Sequence, residues 1–154
     1  MRRNLLALSV AIVAALAFPS FASAQSGHFV GTQTCTDIGT QVQCSGKVAG
    51  LGGTTFTITV AAQGTASVTC TNPAGNVAPG QSFDFVAQGS SGPFPTPRNG
   101  QSAYTVTSNA PLAPAGSCPN PKWTATVVDV AFTTATISLF EDGTLSDQAT
   151  APVT

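Results

Sequence analysis

Two cysteines nine residues apart, on either side of a glycine, restrict this chain more than anything else in it. Gly39-Thr40 fits a two-residue hairpin loop with glycine first, the type II′ choice. That register sets Ile38 opposite Gln41, Asp37 opposite Val42, Thr36 opposite Gln43 and Cys35 opposite Cys44. Directly opposed residues lie at separations a disulfide can bridge. Turn and cysteines thus choose the same pairing. The chain has four cysteines, so Cys70 and Cys118 pair by elimination. In the loop-entropy model the two bridges contribute at most about 2.7 and about 4 kcal/mol. The cysteine spacings match no zinc pattern, and the single histidine adds no ligand cluster.

Disulfides belong to an oxidising compartment, and the start of the chain reads as the route to one. Arg2 and Arg3 form a positive leader, Leu5 to Phe18 is an uncharged apolar run, and Ala22-Ser23-Ala24 is a small-x-small cleavage site. The run is shorter than the ~20 residues a membrane-spanning helix needs. The expectation is a signal peptide over 1–24 and one domain over 25–154, secreted, with no membrane insertion. Removal of the leader leaves Lys47, Arg98 and Lys122 against six acids, a net charge of −3. Nucleic-acid binding needs clustered cations, so this composition speaks against it. It speaks equally against docking on an anionic membrane.

Helical periodicity is almost absent. Thr, Val, Ile and Phe alternate in short runs punctuated by Gly, Pro, Asn and Ser. In Thr54-Thr55-Phe56-Thr57-Ile58-Thr59-Val60, the apolar residues share one face and the threonines the other. Strands are expected at 28–36, 41–49, 54–62, 65–71, 82–88, 102–108, 122–130, 134–141 and 144–149. Glu141-Asp142-Gly143 reads as a second tight turn, and Asn72–Gly80 as a longer connection. Long loops are expected at Gly89–Gln101 and Ala110–Pro121. Eight or nine short antiparallel strands with regular turn signals predict an all-β, immunoglobulin-like two-sheet sandwich. A small barrel is the alternative.

Side chains able to do chemistry are few. His28 could serve as a base, but no Gly-x-Ser-x-Gly elbow accompanies it, and it reads as an ordinary residue of the first strand. Asp84, between Phe83 and Phe85, faces solvent if the two rings face the core. Glu141, Asp142 and Asp147 cluster near the last hairpin and could offer oxygens to Ca²⁺. The spacing is not that of an EF-hand, and turn solubility explains the acids as well. Trp123 and Tyr104 would make a sugar-stacking platform if exposed side by side, or core if not. Residues 89–101 hold three prolines and could present Phe94 or Arg98 to a protease or another protein, or simply cross between sheets. No residue is charged from Val48 to Phe83. Sheet edges usually carry charge or proline against strand addition, so an edge in this interval would be little guarded and open to self-association.

Across its length the mature chain resembles small secreted bacterial immunoglobulin-like β-sandwich proteins. The likeness lies in Gly27-His28-Phe29-Val30-Gly31, Cys44-Ser45-Gly46-Lys47-Val48-Ala49-Gly50-Leu51, and Asn72-Pro73-Ala74-Gly75-Asn76 before Pro79-Gly80-Gln81. It implies a fold and no activity. In composition the chain is also similar to neocarzinostatin-type apoproteins, secreted two-disulfide sandwiches that carry an apolar ligand. Their second disulfide closes a short loop, whereas Cys70 and Cys118 enclose a long one, so no binding residue carries over.

The expected function is non-enzymatic, with no cofactor and no catalytic residue: an extracellular structural or interaction protein at a cell surface or in a matrix. Its partner would be protein, polysaccharide or another copy of the chain. A small-ligand or carbohydrate-binding module is the first alternative, and a protease inhibitor using residues 89–101 the second.

Overall fold

The computed structural model describes residues 26–154; the expected signal peptide lies outside them. The strands are β1 (His28–Asp37), β2 (Val42–Ala49), β3 (Thr55–Thr71), β4 (Val77–Pro79), β5 (Phe83–Pro95), β6 (Ser102–Thr107), β7 (Thr124–Glu141) and β8 (Thr144–Pro152). No helix occurs among the described residues. One sheet has the order β1-β2-β6. In the other, β4 and β5 pair with successive parts of one edge of β3, and β7 and β8 follow on its other side. In immunoglobulin lettering, β1, β2 and β6 are A, B and E, facing C′, C, F and G formed by β5, β3, β7 and β8. The chain is an all-β sandwich.

Both hairpins follow their turn chemistry. Cys35 stands opposite Cys44 and Asp37 opposite Val42. Gly39 has φ +93°, and the Cys35–Cys44 bridge is formed. At the β7–β8 turn, Asp142 and Gly143 have φ of 47° and 81°. Positive φ at both central residues is the type I′ arrangement that favours Asp-Gly.

Two pairs of expected strands are single strands. The segments 54–62 and 65–71 are both β3, of 17 residues, and 122–130 and 134–141 are both β7, of 18 residues. Bulges in the ladder are the reason. Pairing of β3 with β7 shifts at Gln63/Gly64 and at Ser67/Val68. Each shift adds one residue to β7, so its inward positions run 125, 127, then 130, 132, then 135, 137, 139, 141. A phase slip in the alternation looks like a strand end, whereas a bulge carries the ladder through it. Gly64 sits at one slip, where a Cβ would lie 2.6 Å from Val130 Cγ1. The eighth strand, β4, is only three residues long.

The expected loop 89–101 is also corrected. Strand β5 runs through Pro95 and leaves only residues 96–101 as a connection. Proline is tolerated there because β5 is an edge strand whose outer side owes no hydrogen bonds to a ladder. Its register against β3 slips between Phe56 and Ile58, beside Pro93.

The main core lies between the sheets and centres on Val42, Val48, Ile58, Val60, Val106, Ile137 and Leu139. Sheet β1-β2-β6 covers only part of its partner. The β1–β2 turn reaches β7 at Val130, whose N–H donates to Gly39 O (2.9 Å). Beyond that point β3 and β7 project past the smaller sheet, with β4 paired to the end of β3. Their inner side is covered by the 108–123 connection, tied down by Cys70–Cys118 and by Gln81 N–H donating to Ser117 O (2.9 Å).

Candidate interaction surface

The acids expected to cluster around a cation are instead bound to backbone. Glu141 is fully buried. Its Oε1 accepts from Gly52 and Gly53 N–H (2.7 and 3.0 Å), and its Oε2 from Gly27 N–H (2.9 Å) and Ser146 Oγ (2.8 Å). Burial alone would raise its pKa. The bonds from Gly53, Ser146, Gly52 and Gly27 outweigh that and hold it below the usual carboxylate value. Exposed Asp142 is lowered to about 2 by the Thr54 hydroxyl and by Thr54 and Thr55 N–H. Asp147 Oδ2 accepts from Phe29 N–H (2.8 Å). These carboxylates stitch the start of β1, the β2–β3 connection and the β7–β8 hairpin into one end of the sandwich.

The other candidates are scattered. His28 is exposed, with Nδ1 2.9 Å from Ser26 O. Asp84 faces solvent between two half-buried phenylalanines, as alternation requires, and accepts from Thr65 Oγ1 (3.0 Å). Phe94 is 42% exposed with its ring against buried Phe56 (5.5 Å). Arg98 is exposed in the short 96–101 connection.

No paired aromatic platform forms. Tyr104 is buried on β6, edge-on to Phe29 (5.7 Å), and its hydroxyl donates to Gln33 Oε1 (2.7 Å). Trp123 is half-buried in the connection that covers the projecting strands. The rings sit on different elements because β6 turns Tyr104 inward with Val106, two residues on, while Trp123 precedes β7.

The two strands expected in the charge-free interval are one inner strand. Residues 55–71 form β3, which is paired on both sides and needs no edge defence. The edge on that side is formed by β5 and by the three-residue β4, which lies in the charge-free interval and ends on Pro79; β5 is guarded. Gln88 N–H donates to Asn109 Oδ1 (2.7 Å), and Asn109 N–H donates to Gln88 O (2.7 Å). Asn109 thereby occupies the outward backbone groups of Gln88, as a neighbouring strand would. Gly89 packs against the Thr107 backbone, and Pro93 and Pro95 close the far end. At the opposite corner, Val153 bridges Cys35, and Asp37 N–H donates to Thr154 O (3.0 Å).

What remains open is the outer face of the larger sheet. On β3 it presents Thr55, Thr57, Thr59, Ala61, Gln63, Thr65, Ser67, Thr69 and Thr71, all half-buried or exposed. On β7, Thr126, Ala131, Thr134 and Thr136 lie beside them in register. Asp84 and Asp129 are the acids on this face. The sequence shows the alternation behind this row, but not its length, because the bulges hide it. Gln33 and Asn109 carry no local signal at all: Tyr104 lies 71 residues from Gln33, and Gln88 lies 21 from Asn109.

No family model and no curated protein matches the chain. Among solved structures it is similar to the "putative beta-galactosidase" from Bacteroides fragilis, at 11% identity and a TM-score of 0.34. That match covers 82% of this chain and 17% of the other. At this level the likeness bears on neither fold nor function.

Proposed function

We propose that the protein is a non-enzymatic, extracellular structural or interaction module that lies against a cell surface or matrix. The observation that carries this reading is the hydroxyl-rich outer face along the whole of β3, with Asp84 and Asp129 as its acids and the β5 edge capped at Gln88. Away from Asp84 and Asp129, such a face meets a neutral, hydrated partner without desolvating a charge. The two disulfides fit an oxidising compartment. The carboxylates with lowered pKa are engaged with backbone N–H groups, which supports a structural use for them.

The test is fractionation of producing cells into medium, wall and matrix, with wild type beside Thr59→Lys/Thr136→Lys. Both positions lie on the outer face, so the charges leave the core untouched. Wild type is expected in the wall or matrix fraction, and the double variant in the medium. Wild type wholly in the medium, or equal retention of both, overturns the reading.

A further inference from the structure

The projecting half of the β3–β7 ladder carries a cleft that the sheet-face reading does not use. It has a volume of about 440 Å³ and is lined by Pro114, Gly116, Cys118, Asn120, Trp123 and Ala125 among others. That volume is within the range of small-ligand sites, ~300–1,000 Å³. No ionisable side chain lines it, so it suits an uncharged ligand.

The walls are held before any ligand arrives. Cys118 is fixed to Cys70 on β3. Ser117 N–H and Oγ both donate to Pro114 O (3.2 and 2.8 Å). Trp123 N–H donates to Asn120 O (3.0 Å), and Lys122 N–H to Asn120 Oδ1 (3.0 Å). Pro111, Pro114, Pro119 and Pro121 stiffen the same stretch. A preformed wall lowers the ordering cost of binding.

The lining chooses the ligand class. Half-buried Trp123 supplies a flat apolar ring. The Asn120 side chain is exposed, and its Nδ2 donates to no partner among the described residues. The cleft is open to solvent, so an apolar ligand would stay half wet. A sugar ring has an apolar C–H face for the indole and a hydroxyl rim that stays hydrated or meets an amide. We propose that this cleft binds a neutral saccharide, one pyranose ring stacked on Trp123 and a hydroxyl held by the Asn120 amide.

Trp123 is the only tryptophan of the chain, so its emission reports this cleft directly. Intact, disulfide-bonded protein is titrated with cellohexaose, xylohexaose and mannohexaose, and separately with a decaproline peptide. A saturable change in emission with at least one hexasaccharide is expected. Asn120→Ala, with an unchanged circular-dichroism spectrum, should weaken it about tenfold, the value of one good hydrogen bond. Trp123→Phe, followed by calorimetry, should weaken it at least as much. No saturable response to any hexasaccharide, a response to decaproline alone, or full affinity in Asn120→Ala overturns the assignment. The hexasaccharide result is independent of Thr59 and Thr136, so failure here leaves the sheet-face reading standing, and the converse.

Discussion

Individual residues in this protein are used by the fold in ways that ordinary titration and stability measurements can read. Tyr104 is the only tyrosine, and burial raises its pKa to about 12. Its phenolate absorbance should therefore appear about two pH units above the ordinary value of ~10. The unfolded chain releases this proton first as pH rises, so stability should fall above pH ~10. A phenolate band with a midpoint near 10 in the folded protein would place Tyr104 in solvent. Asn109 makes the second residue-scale prediction. Asn109→Ala uncaps Gln88 N–H and should cost about 1 kcal/mol in denaturant unfolding, with concentration-dependent light scattering as the β5 edge opens. Neither role could be read from sequence, because the partners come from distant segments. By residue type Tyr104 suits the core more often than a sugar platform, but its direction is not set locally. Its inward direction is decided by the register of β6 on β2, with Gly46 opposite it.

At the scale of elements, local chemistry determined what was legible. The Gly39 turn fixed the β1–β2 register, and Asp142-Gly143 fixed the β7–β8 hairpin, because each turn type needs φ > 0 at a known position. Strand length was not legible. Each bulge in β7 moves the inward set by one position, and a pattern read with period two ends there. The proline-rich end of β5 misled for the opposite reason, since proline marks a loop unless the strand is an edge. The two disulfides act on different elements. Cys35–Cys44 closes a hairpin already specified by its turn, with a sequence separation of 9. Cys70–Cys118 spans 48 residues and pins the 108–123 connection over the projecting strands. Replacing both cysteines of a bridge by alanine should cost up to about 4 kcal/mol for Cys70/Cys118, against about 2.7 for Cys35/Cys44. Chemical denaturation of the two double variants checks the order. A smaller loss at Cys70/Cys118 would mean that the projecting half is held by packing alone.

Over the whole molecule, two layers of alternating strands enclose one core, and the acids at one end fasten three separate segments together. The surface that is left is rich in hydroxyls and carries Asp84 and Asp129, its β5 edge is capped by Asn109, and the C-terminal residues bond to the edge of β1. The two-layer class was visible in the sequence because alternation and turns repeat throughout it. The end-stitching by Glu141 was not, since Gly27 and Gly52 lie 114 and 89 residues away. Both Glu141 and Asp142 have lowered pKa values in the folded protein. As pH falls, the unfolded chain therefore takes up these protons first. The stability they supply is complete above pH ~4.5 and is lost as pH drops through the folded values.

A carboxylate kept for catalysis can usually be replaced at no cost in stability, whereas one that holds backbone N–H groups in the interior cannot. Denaturant unfolding of Glu141→Gln beside wild type, from pH 7 to pH 2, separates the two uses. The structural use predicts a loss of about 2–4 kcal/mol at pH 7, with the gap closing as wild type is protonated at acid pH. A variant as stable as wild type at pH 7, with the same acid profile, would contradict it.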